Sequence, residues 1–135
     1  MNQTVLQSSL QTVLVLDDDE FSREILRKKL EFLGVKEIYM AHDGRDGLAI
    51  FDTLARELDF LICDIFMPDM DGIEFMGALA ERKFAGSVIL VTGVNRDMME
   101  VAQYIASMKG LRVLGTFTKP LHHETLGKVM GFAAS

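Results

Sequence analysis

Five short apolar runs, each followed by a helical pattern, constrain the fold more than any other feature of this chain. They are Val13-Leu14-Val15-Leu16, Ile38-Tyr39-Met40-Ala41, Phe60-Leu61-Ile62-Cys63, Val88-Ile89-Leu90-Val91 and Val113-Leu114 to Phe117. Most are continuous rather than alternating, the pattern of strands covered on both faces. The amphipathic stretches run from Ser22 to Leu33, stopping at Gly34, and from Asp46 to Leu58. Three more run from Ile73 to Arg82 after Asp71-Gly72, from Arg96 to Lys109 stopping at Gly110, and from His122 to Phe132 after Pro120. Alternation of this kind predicts an α/β fold: a parallel sheet with helices on both faces.

Length sets the scale. A chain of 135 residues is one domain's worth, long enough to bury a real core. The formal charge of −6 makes a poor non-specific nucleic-acid binder, because that task needs a basic face. No window approaches the ~20 apolar residues of a membrane span. Residues 1–11 are uncharged and largely polar, unlike a signal peptide, and read as a loose lead-in to a domain over 12–135. With the single cysteine, Cys63, excluding an internal disulfide, the expectation is a cytoplasmic domain.

The strand ends carry the chemistry. Asp17-Asp18-Asp19 closes the first apolar run, Asp64 the third, Thr92 the fourth and Lys119 the fifth. Ligands of open parallel sheets bind beyond the carboxyl ends of the strands, where strand order reverses. If the first and third strands are neighbours, Asp17, Asp18 and Asp64 converge. Carboxylates sharing a pocket repel one another until one is protonated or a cation joins them. Oxygen donors favour a hard cation, and a few carboxylates with waters and a phosphate is the usual Mg²⁺ arrangement. A carboxylate can also carry a phosphoryl group, whose oxygens Lys119 and Thr92 could contact. These residue types therefore point to a Mg²⁺-dependent aspartyl-phosphate site. Seven of the 20 acids (Asp17, Asp18, Asp19, Glu20, Asp64, Asp69 and Asp71) fall in two short segments beside it, and the remaining acids nearly cancel the 14 bases.

Four segments in order, Val13 to Asp19, Asp64-Ile65-Phe66-Met67-Pro68-Asp69-Met70-Asp71-Gly72, Val91-Thr92-Gly93 and Thr118-Lys119-Pro120, resemble the receiver domain of two-component response regulators from about Thr12 onward. The resemblance implies a flavodoxin-like doubly wound sheet of five parallel strands in the order 2-1-3-4-5. It implies Asp64 as phosphoacceptor, and Mg²⁺ held by Asp18, Asp64 and the backbone carbonyl of Phe66, with Asp17 assisting through water. It further implies Thr92 and Lys119 as the phosphoryl-binding pair and a cis peptide before Pro120. The implied partner is a sensor histidine kinase or phosphotransfer protein, and the domain catalyses only its own phosphorylation and dephosphorylation. The signal would leave through the fourth helix, fifth strand and fifth helix, the face also implied for a homodimer.

Two departures from the family pattern stand out. Receivers usually carry Tyr or Phe three residues before the lysine, whereas Thr116 stands there, and Phe117 should face the other way. The stretch from Thr92 to Lys119 is also long, with the fourth helix or the loop after it expected to be lengthened around Met108 to Arg112. That length, with Leu111 to Gly115, is similar to receivers joined to EAL-type cyclic-di-GMP phosphodiesterase domains, so an EAL-type or other output domain or protein is a further implied partner. Two alternatives compete. A haloacid-dehalogenase-type phosphatase would use Asp17, Asp19, Thr92 and Lys119, but leaves Asp64 and its Met-Pro run unexplained. A pseudo-receiver scaffold would bind partners without phosphorylation. Among other acids, Asp19 reads as a helix cap or a peripheral acid, with Ser22 the other capping candidate, and Asp69 and Asp71 as turn formers.

Overall fold

The computed structural model describes residues 11–35, 37–54, 57–65, 72–93 and 96–131. The element order is β1 (Thr12–Leu16), α1 (Glu20–Phe32), β2 (Glu37–Ala41), α2 (Gly44–Leu54), β3 (Phe60–Asp64), α3 (Gly72–Glu81), β4 (Ser87–Thr92), α4 (Arg96–Met108), β5 (Arg112–Thr118) and α5 (His123–Val129). The strands form one parallel sheet in the order β2-β1-β3-β4-β5. The flavodoxin-like doubly wound arrangement is thus the observed one.

The continuous apolar runs are explained by two separate cores. Val13, Val15, Ile62, Ile89 and Val91 pack against α1 and α5 through Leu26, Leu30, Leu126 and Met130. Leu14, Leu16, Leu61, Cys63, Val88 and Leu90 face α2, α3 and α4 through Phe51, Phe75, Met76 and Ala102. Successive strand residues point to opposite faces, so each run must be apolar throughout. Cys63 is a buried member of the second core.

Local signals set the helix ends. Asp19 caps α1, its carboxylate accepting the Ser22 N–H at 2.9 Å. Gly34 and Gly110 follow α1 and α4 with φ of 96° and 90°. In each case the next residue donates back into the helix, Val35 to Leu30 and Leu111 to Ala106. Leu58, the expected end of α2, lies outside the helix and is buried in the core from the connection into β3.

Between Thr92 and Lys119, α4 spans 13 residues. The connection after α4 is only residues 109–111. One extra residue sits inside β5, where the register steps from Val88↔Val113 to Ile89↔Gly115 and leaves Leu114 as a bulge. Gly115 fits because a Cβ there would lie 2.8 Å from the Phe117 ring. The lead-in expected over residues 1–11 lies, Gln11 apart, outside the described residues, as do Asp69 and Asp71.

Candidate functional site

The chain leaves β1 toward β2 on one side and reaches β3 on the other. The carboxyl ends of β1 and β3 therefore border the crevice in which this architecture binds ligands. Asp17, Asp18 and Asp64 meet there, with one oxygen from each within 4.8 Å of the others. Asp17 and Asp64 are 2% and 5% exposed, while Asp18 is open to solvent. Lys119 enters from β5, its Nζ 2.8 Å from Asp17 Oδ2 and 2.9 Å from Asp64 Oδ2. Thr92 closes β4 and is fully buried, its carbonyl accepting the Lys119 N–H at 2.8 Å. The Lys119–Pro120 peptide is cis. Phe66 lies outside the described residues.

Asp17 is held at four polar atoms. Its N–H donates to Ala41 O at 3.1 Å, and its Oδ1 accepts the Asp19 N–H at 2.9 Å. Its carbonyl accepts Arg23 Nη1 at 2.7 Å, and its Oδ2 faces Lys119. Burial disfavours the charged Lys119 ammonium, but the hydrogen bonds and charges of Asp17 and Asp64 more than offset this and hold its pKa above the ordinary lysine value. Three carboxylates and one ammonium leave two negative charges in the pocket. Oxygen donors with that residual charge suit a hard divalent cation.

Arg23 carried no motif, and sequence reasoning passed it over. The available signal was a long basic side chain in the first turns of a helix that follows an acidic strand end. Such a side chain leans toward the helix N-terminus and can reach the preceding loop. Asp19, by contrast, is committed to its cap. His42 is exposed, between Asp43 at 3.3 Å and Asp46 at 3.0 Å. Thr116 faces α4, where its Oγ1 donates to Gln103 Oε1 at 3.3 Å, and Phe117 packs on the opposite face with the α1–α5 core.

The chain belongs to the response regulator receiver domain family, whose model matches residues 13–130. It is 31% identical over 114 residues to the cyclic di-GMP phosphodiesterase RocR of Pseudomonas aeruginosa, a match covering 84% of this chain and 29% of that protein. It is 35% identical over 98 residues to the probable chemotaxis protein CheY of Rhizobium etli, covering 70% of this chain and 74% of that one. A solved response regulator from Colwellia psychrerythraea superposes with a TM-score of 0.76 at 34% identity, covering 90% and 94% of the two chains. The protein is therefore a receiver domain of two-component signalling, with an acidic pocket compatible with Mg²⁺. No helix among the described residues is long and apolar enough to cross a membrane.

Proposed function

We propose that Asp64 accepts a phosphoryl group from a phosphohistidine on a sensor kinase or phosphotransfer protein. The observation that carries this reading is the placement of the Lys119 ammonium between Asp17 and Asp64, with Asp18 beside them. Asp17, Asp18 and Asp64 would hold Mg²⁺, with Asp18 and Asp64 in direct contact and the Phe66 carbonyl as a further ligand. When bound, Mg²⁺ supplies charge neutralisation for the phosphoryl oxygens. The Asp64 carboxylate attacks phosphorus, the new O–P bond forms as the P–N bond breaks, and the imidazole leaves with the bonding electrons. Lys119 gives up part of its hold on the Asp64 carboxylate and pairs with a phosphoryl oxygen instead. Thr92 offers its hydroxyl to another.

Movement of Thr92 toward the phosphoryl group carries the signal to α4, β5 and α5. Helix α4 presents Val101, Tyr104 and Met108 to solvent on that side, a surface suited to an output domain, an output protein or a second copy. An EAL-type output is one reading favoured by the Pseudomonas relative. The domain works in the cytoplasm, where kinases of this kind present their phosphohistidine.

Incubation with labelled acetyl phosphate and Mg²⁺ tests the proposal. Acid-stable, base-labile label should appear on the native chain and vanish in Asp64→Asn. Label on Asp17 with rapid phosphate-ester turnover would favour the dehalogenase-type phosphatase. No change in the amide spectrum with beryllofluoride and Mg²⁺ would favour the scaffold.

A further inference from the structure

Helix α1 sends a cation to each side of the acidic pocket. Arg23 Nη1 donates to the carbonyl of Asp17 at 2.7 Å, and Lys29 Nζ donates to the carbonyl of Leu121 at 2.7 Å. Asp17 opens the β1–α1 loop, and Leu121 lies two residues past Lys119 in the β5–α5 loop. The loops meet through the Lys119–Asp17 ion pair at 2.8 Å. Between them and α1 lies a cavity of about 290 Å³, lined by Phe21, Ile25, Lys29, Pro120 and Leu121 among others. Close packing normally fixes a loop against its helix. Leu121 is buried in the core with Leu26 and Leu30, while Phe21 and Ile25 of α1 stay exposed, so packing covers only part of this contact and the two charge-assisted hydrogen bonds add to it.

We propose that Arg23 and Lys29 are positioning residues of the phosphorylation site. Arg23 sets the Asp17 and Asp18 carboxylates for the divalent cation, and Lys29 sets Lys119 for the phosphoryl group. This rests on the phosphoacceptor reading above and adds two residues to it. Neither cation touches a reacting atom. Their partners are backbone carbonyls, so each acts on where a loop lies rather than on which side chain it carries.

Charge and position make opposite predictions, which lets an experiment separate them. By charge alone, removing Arg23 makes the pocket more negative and tightens Mg²⁺ binding. By position, its removal frees the Asp17 carbonyl, loosens the loop and weakens Mg²⁺ binding.

The test uses the full chain, with Mg²⁺ affinity measured by calorimetry and the initial rate of Asp64 labelling by acetyl phosphate measured at saturating Mg²⁺. Arg23→Met should weaken Mg²⁺ binding roughly tenfold, a size typical of lost outer-shell contacts. Arg23→Lys, which keeps a cationic donor, should recover part of that loss. Lys29→Met should slow labelling roughly tenfold at saturating Mg²⁺ while leaving the affinity unchanged. If Arg23→Met does not fold, Arg23→Gln takes its place in the same titration. Mg²⁺ binding in the Arg23 variants as tight as or tighter than in the native chain overturns the proposal, as does native-rate labelling of Lys29→Met. A native chain that neither binds Mg²⁺ nor takes the label overturns the phosphoacceptor reading and this inference with it.

Discussion

Lys119 donates its backbone N–H to the carbonyl oxygen of Thr92 at 2.8 Å, so the two residues proposed to grip the phosphoryl group are fastened to each other across β4 and β5. Their separation is set by the sheet. The side chains can still turn, above all the Lys119 ammonium, now shared between Asp17 and Asp64.

Lys119→Met should therefore cost about 2 kcal/mol near neutral pH without divalent cation, because two buried carboxylates lose their counter-charge. Added Mg²⁺ should recover part of the loss. The pH dependence has a definite sign. The folded pKa of Lys119 lies above the ordinary 10.5, so its contribution is full below 10.5 and is lost as pH rises through the folded value. Thermal melts from neutral to strongly alkaline pH should show the native chain and Lys119→Met converging only in that upper window. A constant gap would contradict the prediction.

Lys83→Gly should stabilise the fold. Helix α3 ends as α1 and α4 do, with Phe84 N–H bonded to Leu79 O and Lys83 N–H to Ala80 O. Here the left-handed position, with φ of 56°, is filled by Lys83, where α1 and α4 have Gly34 and Gly110. Relief of the Cβ conflict, less the added freedom of the unfolded chain, should gain about 0.5–1 kcal/mol. The melting temperature should rise by about 2–4 °C in a thermal scan.

Gly86→Ala should do the reverse. An added Cβ would lie 2.6 Å from the Asp59 carbonyl oxygen and 2.5 Å from the Phe84 ring. That carbonyl is held by the Ser87 N–H at 2.9 Å, and the ring packs edge-on against Phe51 with centroids 5.4 Å apart. Neither neighbour can yield cheaply, so a loss of about 2 kcal/mol is expected in urea unfolding.

Thr116→Val tests the contact that stands where the family usually has an aromatic ring. Losing the Thr116–Gln103 hydrogen bond should cost about 0.5–1 kcal/mol and speed amide exchange in the middle of α4. Thr116→Ser should retain most of the stability. Equal exchange in native and valine chains would show that this bond does not hold α4 to β5.

Much of the fold was legible because its signals are local and repeated. Val13 to Leu16 and Val88 to Val91 face a core on both sides, so burial alone dictated their apolar residues. Asp19 and Gly34 announced the ends of α1 through caps formed within a few residues. The members of the acidic pocket were legible as strand-end residues. Arg23 and Lys29 were not, because their acceptors are backbone carbonyls, which every residue possesses. The bulge at Leu114 was not legible for a related reason. An extra residue lengthens the interval between two motifs equally whether it enters a helix, a loop or a strand.

By itself, then, the sequence determined that strands would alternate with helices, that both sheet faces would be covered, and that acids, a threonine and a lysine would stand at the strand ends. Hydrophobic periodicity and local hydrogen bonding decide these over a few residues at a time. Only the tertiary structure decided that one ammonium would bridge Asp17 and Asp64, that α1 would hold both neighbouring loops, and that Thr116 would meet Gln103. Those relationships depend on strand order and register, where a shift of one residue turns every side chain to the opposite face.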